Sequence, residues 1–404
     1  MVSPVLDAID PRVLGARLQE ARKAAGATQQ AIADELGIGR TTLVAIEKGE
    51  RRVTADELVK LARLYGRSVS DLVSRRTVVE AFVPQFRTSL RKQMEEDPEF
   101  DRVTATLQSL AEDYVELEQI LDAPLPRAYP VPRLVGSNID QSAEDIALSE
   151  RNRLGLGDGP VPELRSRLES DIGLRIFFFE MPSTMAGLFV YNDTIGGCIG
   201  INASHPYERQ NWSLAHEYGH FLTSRFAPEI QLLAERPRVR GEIFANEFAK
   251  HFLMPAAGLN RRFSEIHQSR DKGATLADVC TVADSYQVSV EALIRRLEEL
   301  KRLPAGMWNR LTAQKFKPRE AQAALGLARD HRHEKLPARF VYLAVQAFRD
   351  GLLTEGQLAR YLRTDRVSAR EMVELLETRL FSEHEGRFEM VVFDLAQPLG
   401  MVEG

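Results

Sequence analysis

The sequence predicts a mainly helical chain with one small β-sheet, an α+β architecture divided among several domains. Three observations carry this. Apolar residues recur at three- and four-residue steps through residues 13–72 and again from Tyr207 onward, the period of helices with one buried face. Between them, three short runs are rich in β-branched, aromatic or small residues: Leu174 to Glu180, Gly187 to Tyr191 and Gly197 to Asn202, with a turn at Asn192-Asp193. Finally, Pro124, Pro126, Pro130 and Pro132 crowd one stretch, where helix is impossible, so Asp122 to Leu134 is a linker or an extended wrap.

Composition narrows the possibilities. The chain has 404 residues, 44% of them hydrophobic, enough for two or three cores. Its formal net charge is −5, so any nucleic-acid contact must come from a local patch and not from the field of the whole molecule. Cys198 and Cys280 sit in unlike contexts and read as free thiols of a reducing compartment. No apolar run approaches the roughly 18–20 residues of a membrane span. The start, MVSPVLDAIDPRVLG, lacks the pattern of a secretory signal. The expectation is a cytoplasmic protein with no membrane partner.

Residues 1–75 read as a first domain of five short helices. Leu14, Leu18 and Ala21 mark the first, stopped by Gly26. Thr28 caps Gln29 to Leu36, which ends at Gly37. Arg40 to Glu47 is the third, Thr54 caps a fourth carrying Leu58, Leu61 and Ala62, and Ser68 to Leu72 closes the unit. The run LQEARKAAGATQQAIADELGIGRTTLVAIEKGERRVTADELVKLARLYGRSVSDLV resembles the Xre/Cro-type helix-turn-helix nearly end to end. The residues agree with it. Leu43 and Ile46 turn the third helix toward the core, leaving Arg40, Thr41, Thr42 and Ala45 outward for a major groove. Gln29 either bonds a phosphate or braces those residues, and Arg17, Lys23, Lys48, Arg51 and Arg52 supply backbone contacts. The implied partner is double-stranded operator DNA. One copy reads a half-site, so a homodimer is expected. The apolar stripe Leu107, Leu110, Tyr114, Leu117 and Leu121, in the helical and proline-rich linker 76–134, either mediates it or packs within the chain.

The sharpest motif lies in the third segment, residues 135–265: His216-Glu217-Tyr218-Gly219-His220. Two histidines four apart on a helix share a face, so both imidazoles can reach one zinc ion. Glu217 beside them suits a general base that takes a proton from water and hands it to a leaving amine. A third protein ligand is needed, and Glu242, Glu247, His251 and His267 lie downstream. Glu242 is preferred, because steps of three and seven reach Ala245 and Ala249, a small-residue face on which another helix can come close. Glu247 is the next choice.

The runs INASHPYERQNWSLAHEYGHFL and EIFANEFAKHFLMP resemble the ImmA/IrrE family of metallopeptidases, over about Glu144 to Phe263. The resemblance implies a gluzincin-like site with His216, His220 and Glu242 as metal ligands and Glu217 as base. It also implies a sheet edge beside the catalytic helix, for which Gly197 to Asn202 is the candidate. Many members carry an acid or polar residue where Phe244 stands here.

Residues 266–404 read as a helical sensing or interaction region. Ala277 to Leu297 gives a helix pair, and LLTEGQLARYLRTDRVSAREMVELL reads as a plain bundle or a second helix-turn-helix, the bundle being preferred. FEMVVFDL, Phe388 to Leu395, reads as a late strand, and His331, His333 and His384 as exposed. Together these features predict a DNA-binding regulator with a zinc endopeptidase domain that cuts a repressor, itself or a partner, on a signal such as single-stranded DNA. The alternatives are a repressor that only senses a ligand or stress, or an antitoxin-like regulator. The extended Asp122 to Leu134 stretch could lie along the active cleft as a brake.

Overall fold

The structure is a computed structural model that describes residues 10–24, 27–65, 69, 72, 98–225, 237–268, 274–327, 333–378, 381–384 and 387–390. It divides into two compact units, residues 1–80 and 81–404. The expected helical stretch of residues 76–97, His331 and residues 391–395 lie outside the described residues, as does most of the Ser68–Leu72 segment.

The first unit contains α1 (Pro11–Ala24), α2 (Gln29–Leu36), α3 (Arg40–Glu47) and α4 (Ala55–Leu64). Local chemistry sets each boundary. The Thr28 hydroxyl accepts from Ala31 N, and Gly37, at φ 69°, closes α2 with a left-handed turn. Thr54 and Glu57 form a reciprocal capping box on α4. Leu14, Leu18, Leu43, Ile46, Leu58 and Leu61 meet in one core, to which Val69 and Leu72 also belong.

The second unit is built around a three-stranded sheet in the order β1-β3-β2: β1 (Arg175–Phe179), β2 (Gly187–Asn192) and β3 (Gly196–Asn202). β3 runs parallel to β1 and antiparallel to β2. It is therefore the central strand, hydrogen-bonded on both sides, and the expectation that Gly197 to Asn202 offers a free edge is overturned. β2 is an outer strand. The hairpin between β2 and β3 slots β3 against β1, a pairing that the local alternation of residues does not encode.

Before the sheet come α5 (Pro98–Ile120), α6 (Ile139–Arg153), α7 (Leu164–Arg167) and a π-helical turn at Leu168–Ile172. After it come α8 (Tyr207–Ser224), α9 (Pro237–Leu253), α10 (Ala256–Gln268), α11 (Leu276–Ser285), α12 (Val290–Glu299), α13 (Met307–Ala313) and α14 (Pro318–Ala324). The chain continues through α15 (Ala338–Arg349), α16 (Glu355–Tyr361) and α17 (Arg366–Thr378) into the hairpin β4 (Phe381–His384) and β5 (Arg387–Met390).

The stripe on α5 is spent inside this unit. Leu107, Leu110, Tyr114 and Leu117 are buried, with Tyr114 edge-on to Phe177 of β1 and Phe340 of α15. Glu118 of α5 bonds Arg175 and Arg339, while Asp113 receives Arg363. The stripe is thus no surface for dimerisation. The proline-rich stretch also packs down: Ala128 N donates to Ile172 O, Arg133 N to Leu222 O, and the Tyr129 hydroxyl accepts from Gly197 N. Apolar residues of α11 and α12 share one core with α6, α8, α9 and α10, so the division expected at residue 265 falls inside that core. His333, expected exposed, is half-buried. Its ring stacks on Phe178 and on Tyr207, its Nε2 bonds Asn211, and burial pushes its pKa down to about 4.

Candidate metal centre and nucleic-acid interface

The His-Glu-Tyr-Gly-His motif falls in the middle of α8, and its residues divide by helical position. Tyr218 points inward, where its hydroxyl donates to Glu150 of α6 at 2.6 Å and accepts from Arg153 at 3.1 Å. That anchor fixes the rotation of α8 and turns His216 and His220 to the opposite, half-buried side. Gly219 lets α9 approach. A Cβ there would lie 3.0 Å from the Phe248 ring and 3.3 Å from Ala245 Cα, tight enough that α9 would have to give by a few tenths of an ångström.

The close approach brings Glu242 over the two histidines. Its carboxylate oxygens lie 3.4 Å from His216 Nε2 and 3.4 Å from His220 Nε2, and the two Nε2 atoms are 3.1 Å apart. These three donors lie within 4.8 Å of one another. Two imidazole nitrogens and one carboxylate oxygen are the donor set zinc takes when a fourth position is left for water. Hydrogen bonds from His216 and His220 hold the Glu242 carboxyl well below the usual carboxylate range. Burial works against protonation of His216, but the Glu242 hydrogen bond, the charges of Glu217 and Glu242 and the Asn246 contact together outweigh it and raise its pKa. His216 Nδ1 lies 3.1 Å from Asn246 Oδ1, a partner that orients the ring. Sequence reasoning passed over Asn246, although its step of four from Glu242 puts it on the same face.

Glu217 is buried at 9% exposure, and a Cβ on Gly187 would lie 3.3 Å from its Cγ. The base candidate therefore stands at the start of β2, an outer strand of the sheet. Glu247 faces elsewhere. It pairs with Lys250, while Asp140 of α6 takes a hydrogen bond with His251 Nε2 at 2.9 Å. Phe244 is fully buried and stacks on Phe248, so the position where relatives carry a polar residue is filled by core here. The described part of the proline-rich stretch makes no main-chain hydrogen bond with β2, so the brake expected along the cleft is not formed by strand pairing.

In the first unit, Arg40 and Thr41 open α3 and are exposed, while Thr42 and Ala45 are half-buried. Gln29 is engaged within the unit, not with those residues: its Nε2 donates to Glu47 Oε2 at 2.8 Å, and Arg22 Nε bonds Glu47 Oε1 at 2.6 Å. Burial opposes ionisation of Glu47, yet these hydrogen bonds hold its carboxyl below the ordinary range. Arg17, expected at the DNA backbone, is buried, and its Nη1 donates to Leu72 O. Arg51 pairs with Glu57, leaving Lys23, Lys48 and Arg52 as the exposed cations of that expected set.

Residues 18–72 match the helix-turn-helix family, and residues 169–298 match the IrrE N-terminal-like domain. The second match reaches through α12, in keeping with the shared core. The chain is similar to the HTH-type transcriptional regulator ImmR of Bacillus subtilis (strain 168), 34% identical over 106 residues that span 23% of this chain and 84% of that protein. Among solved structures it is similar to the apo form of ComR from S. Thermophilus, 16% identical, covering 78% of this chain and 95% of that one at a TM-score of 0.16. The apo competence regulator ComR from Streptococcus vestibularis is 12% identical over 92% of this chain and 98% of that one, again at 0.16. At such TM-scores these two likenesses bear on nothing further. No helix among the described residues is long and apolar enough to cross a membrane.

Proposed function

Because the chain belongs to the Xre-type helix-turn-helix transcriptional regulators and carries an IrrE-like peptidase-family domain, we propose that it controls transcription by zinc-dependent cleavage of a repressor protein, itself or a partner. The observation that carries this reading is the grouping of His216, His220 and Glu242 beside a buried Glu217 at the start of an edge strand. A zinc ion on the three ligands would supply Lewis acidity and a readily deprotonated water. The chain's own groups do the rest. The open side of β2 aligns an extended peptide through main-chain hydrogen bonds. Glu217 takes the proton of the attacking water and returns it to the leaving amine. Asn246 keeps His216 in register.

On DNA, Arg40, Thr41, Thr42 and Ala45 face base edges of an operator, and the Gln29–Glu47–Arg22 network holds α2 against α3. Two copies bind a two-fold operator as a homodimer. Affinity falls steeply with salt, since Lys48 and Arg52 neutralise phosphates and release counterions. Replacing Arg40 and Thr42 together should abolish sequence preference in a mobility-shift assay and leave weak general binding.

The peptidase reading is tested by incubating the zinc-loaded full chain with candidate repressors, with and without single-stranded DNA as signal, and following both proteins by mass spectrometry. Cleavage by the native chain and none by Glu217→Gln is the expected result. No cleavage under any condition, with zinc bound, would replace this reading by that of a sensor domain.

A further inference from the structure

A cavity of about 990 Å³ opens between α8, the end of α9, α12 and the α13–α14 pair. It shares two helices, α8 and α9, with the candidate metal centre. Trp212 lies one turn before His216 on α8, and Lys250 one turn after Asn246 on α9. Its size is that of sites that enclose a small molecule. Fully buried Met254, Val290, half-buried Phe316 and the indoles of Trp212 and Trp308 make its surface mainly apolar and partly aromatic.

The charges at its mouth are unevenly matched. Arg295 is held by Glu291, Arg296 by Glu299 and Lys317 by Glu320. Arg209 on α8 and Arg319 on α14 line the cavity too, against one carboxylate, Glu208, and among the described residues none of the three has an ion pair or a hydrogen bond, so the unpaired cations outnumber the unpaired anion two to one. An apolar, aromatic chamber with two uncommitted guanidinium groups at its rim complements one kind of ligand. That ligand has a flat or aliphatic body to fill the chamber and an anionic group to meet the arginines. We propose that this cavity is a binding site for a small amphiphilic anion, an aromatic or aliphatic body bearing a carboxylate or sulfonate. A ligand held there touches the helix that carries His216, whether or not the metal centre cleaves peptides.

The chain supplies its own probe. It has two tryptophans, Trp212 and Trp308, and both line this cavity. Tryptophan emission of the full chain therefore responds most strongly to a probe bound in this cavity, and saturation at one molecule per chain separates that from probe bound elsewhere. The experiment titrates 8-anilinonaphthalene-1-sulfonate and, separately, its uncharged relative N-phenyl-1-naphthylamine, and reads quenching of that emission. The expected result is saturable quenching at one molecule per chain, with the anion bound about tenfold more tightly than the neutral compound, the factor that charge-assisted contacts bring. Arg209→Gln with Arg319→Gln should erase that preference and leave the neutral compound's affinity unchanged. Both arginines are exposed, so the variant keeps its core. Trp308→Phe should lower the total quench and preserve the affinity order. Equal affinities for the two compounds in the native chain, or an anion preference that survives the double arginine change, would overturn the proposal. So would binding that leaves tryptophan emission unchanged. Peptide cleavage enters none of these readouts, so failure here is distinct from failure of the peptidase reading.

Discussion

Two clusters of potential metal ligands flank α9, and they are made of the same kinds of side chain. His216, His220 and Glu242 form one, Asp140, Glu247 and His251 the other, and in each the donor atoms lie within 4.8 Å of one another. Their surroundings differ. In the second cluster both ring nitrogens of His251 are engaged, Nε2 by Asp140 at 2.9 Å and Nδ1 by Arg296 at 3.1 Å. Lys250 bridges Glu247, Asp140 and Glu299. A divalent cation there would have to displace an ammonium and face a buried guanidinium. At the first cluster Glu242 pairs with no lysine or arginine among the described residues, and its negative charge meets only imidazoles. Proximity of donor types is common to both. The fixed cations make the second an ion-pair clasp between α6, α9 and α12 and leave the first as the proposed metal centre.

That contrast can be attacked from either side. The largest effect belongs to the base: Glu217→Gln should lower peptide cleavage by roughly 10²–10⁴-fold, with zinc content unchanged. The matching change at the clasp, Asp140→Asn, should leave cleavage within about twofold, since surface ion pairs contribute little. Next, Asn246→Ala should weaken zinc affinity by roughly 10–100-fold, measured by chelator competition. In the clasp, His251→Ala should cost about 1–3 kcal/mol of stability in urea unfolding without loss of zinc. If that variant loses zinc instead, the two clusters are not functionally separate.

His333 supplies a third histidine environment, with no acidic partner among the described residues. Its pKa, pushed down to about 4 by burial, lies below the value in an unfolded chain, about 6.5. The neutral ring's contribution is therefore complete above the unfolded value. It is lost as pH falls from there toward about 4, because the unfolded chain binds the proton first. The loss should be on the order of 3 kcal/mol over that window, and His333→Phe should flatten the pH dependence of thermal unfolding.

The legible parts of the molecule were those set by spacing along one element. The four-residue step of His216 and His220, the small face of Ala245 and Ala249, the caps at Thr28 and Thr54, and the three strand runs are all local patterns. The different faces taken by Glu242 and Glu247 are also written in the helix period, since five residues turn α9 by about 140°. What stayed hidden depends on pieces far apart in the chain. The central place of β3 comes from its pairing with β1 across an intervening hairpin. Arg17 reads as a phosphate contact until Leu72 is brought to it. His333 reads as exposed until Phe178 and Tyr207 close on its ring. Tyr129 sits in a proline-rich run that looks like a tether, yet its hydroxyl bonds Gly197 on the sheet.

The account stands most directly on which side of α9 holds the metal. The measurement is zinc content per chain, by elemental analysis of the purified full-length protein, for the native sequence, Glu242→Gln and Glu247→Gln. The account predicts one zinc per native chain, the same for Glu247→Gln, and almost none for Glu242→Gln. Zinc retained by Glu242→Gln and lost from Glu247→Gln would contradict it.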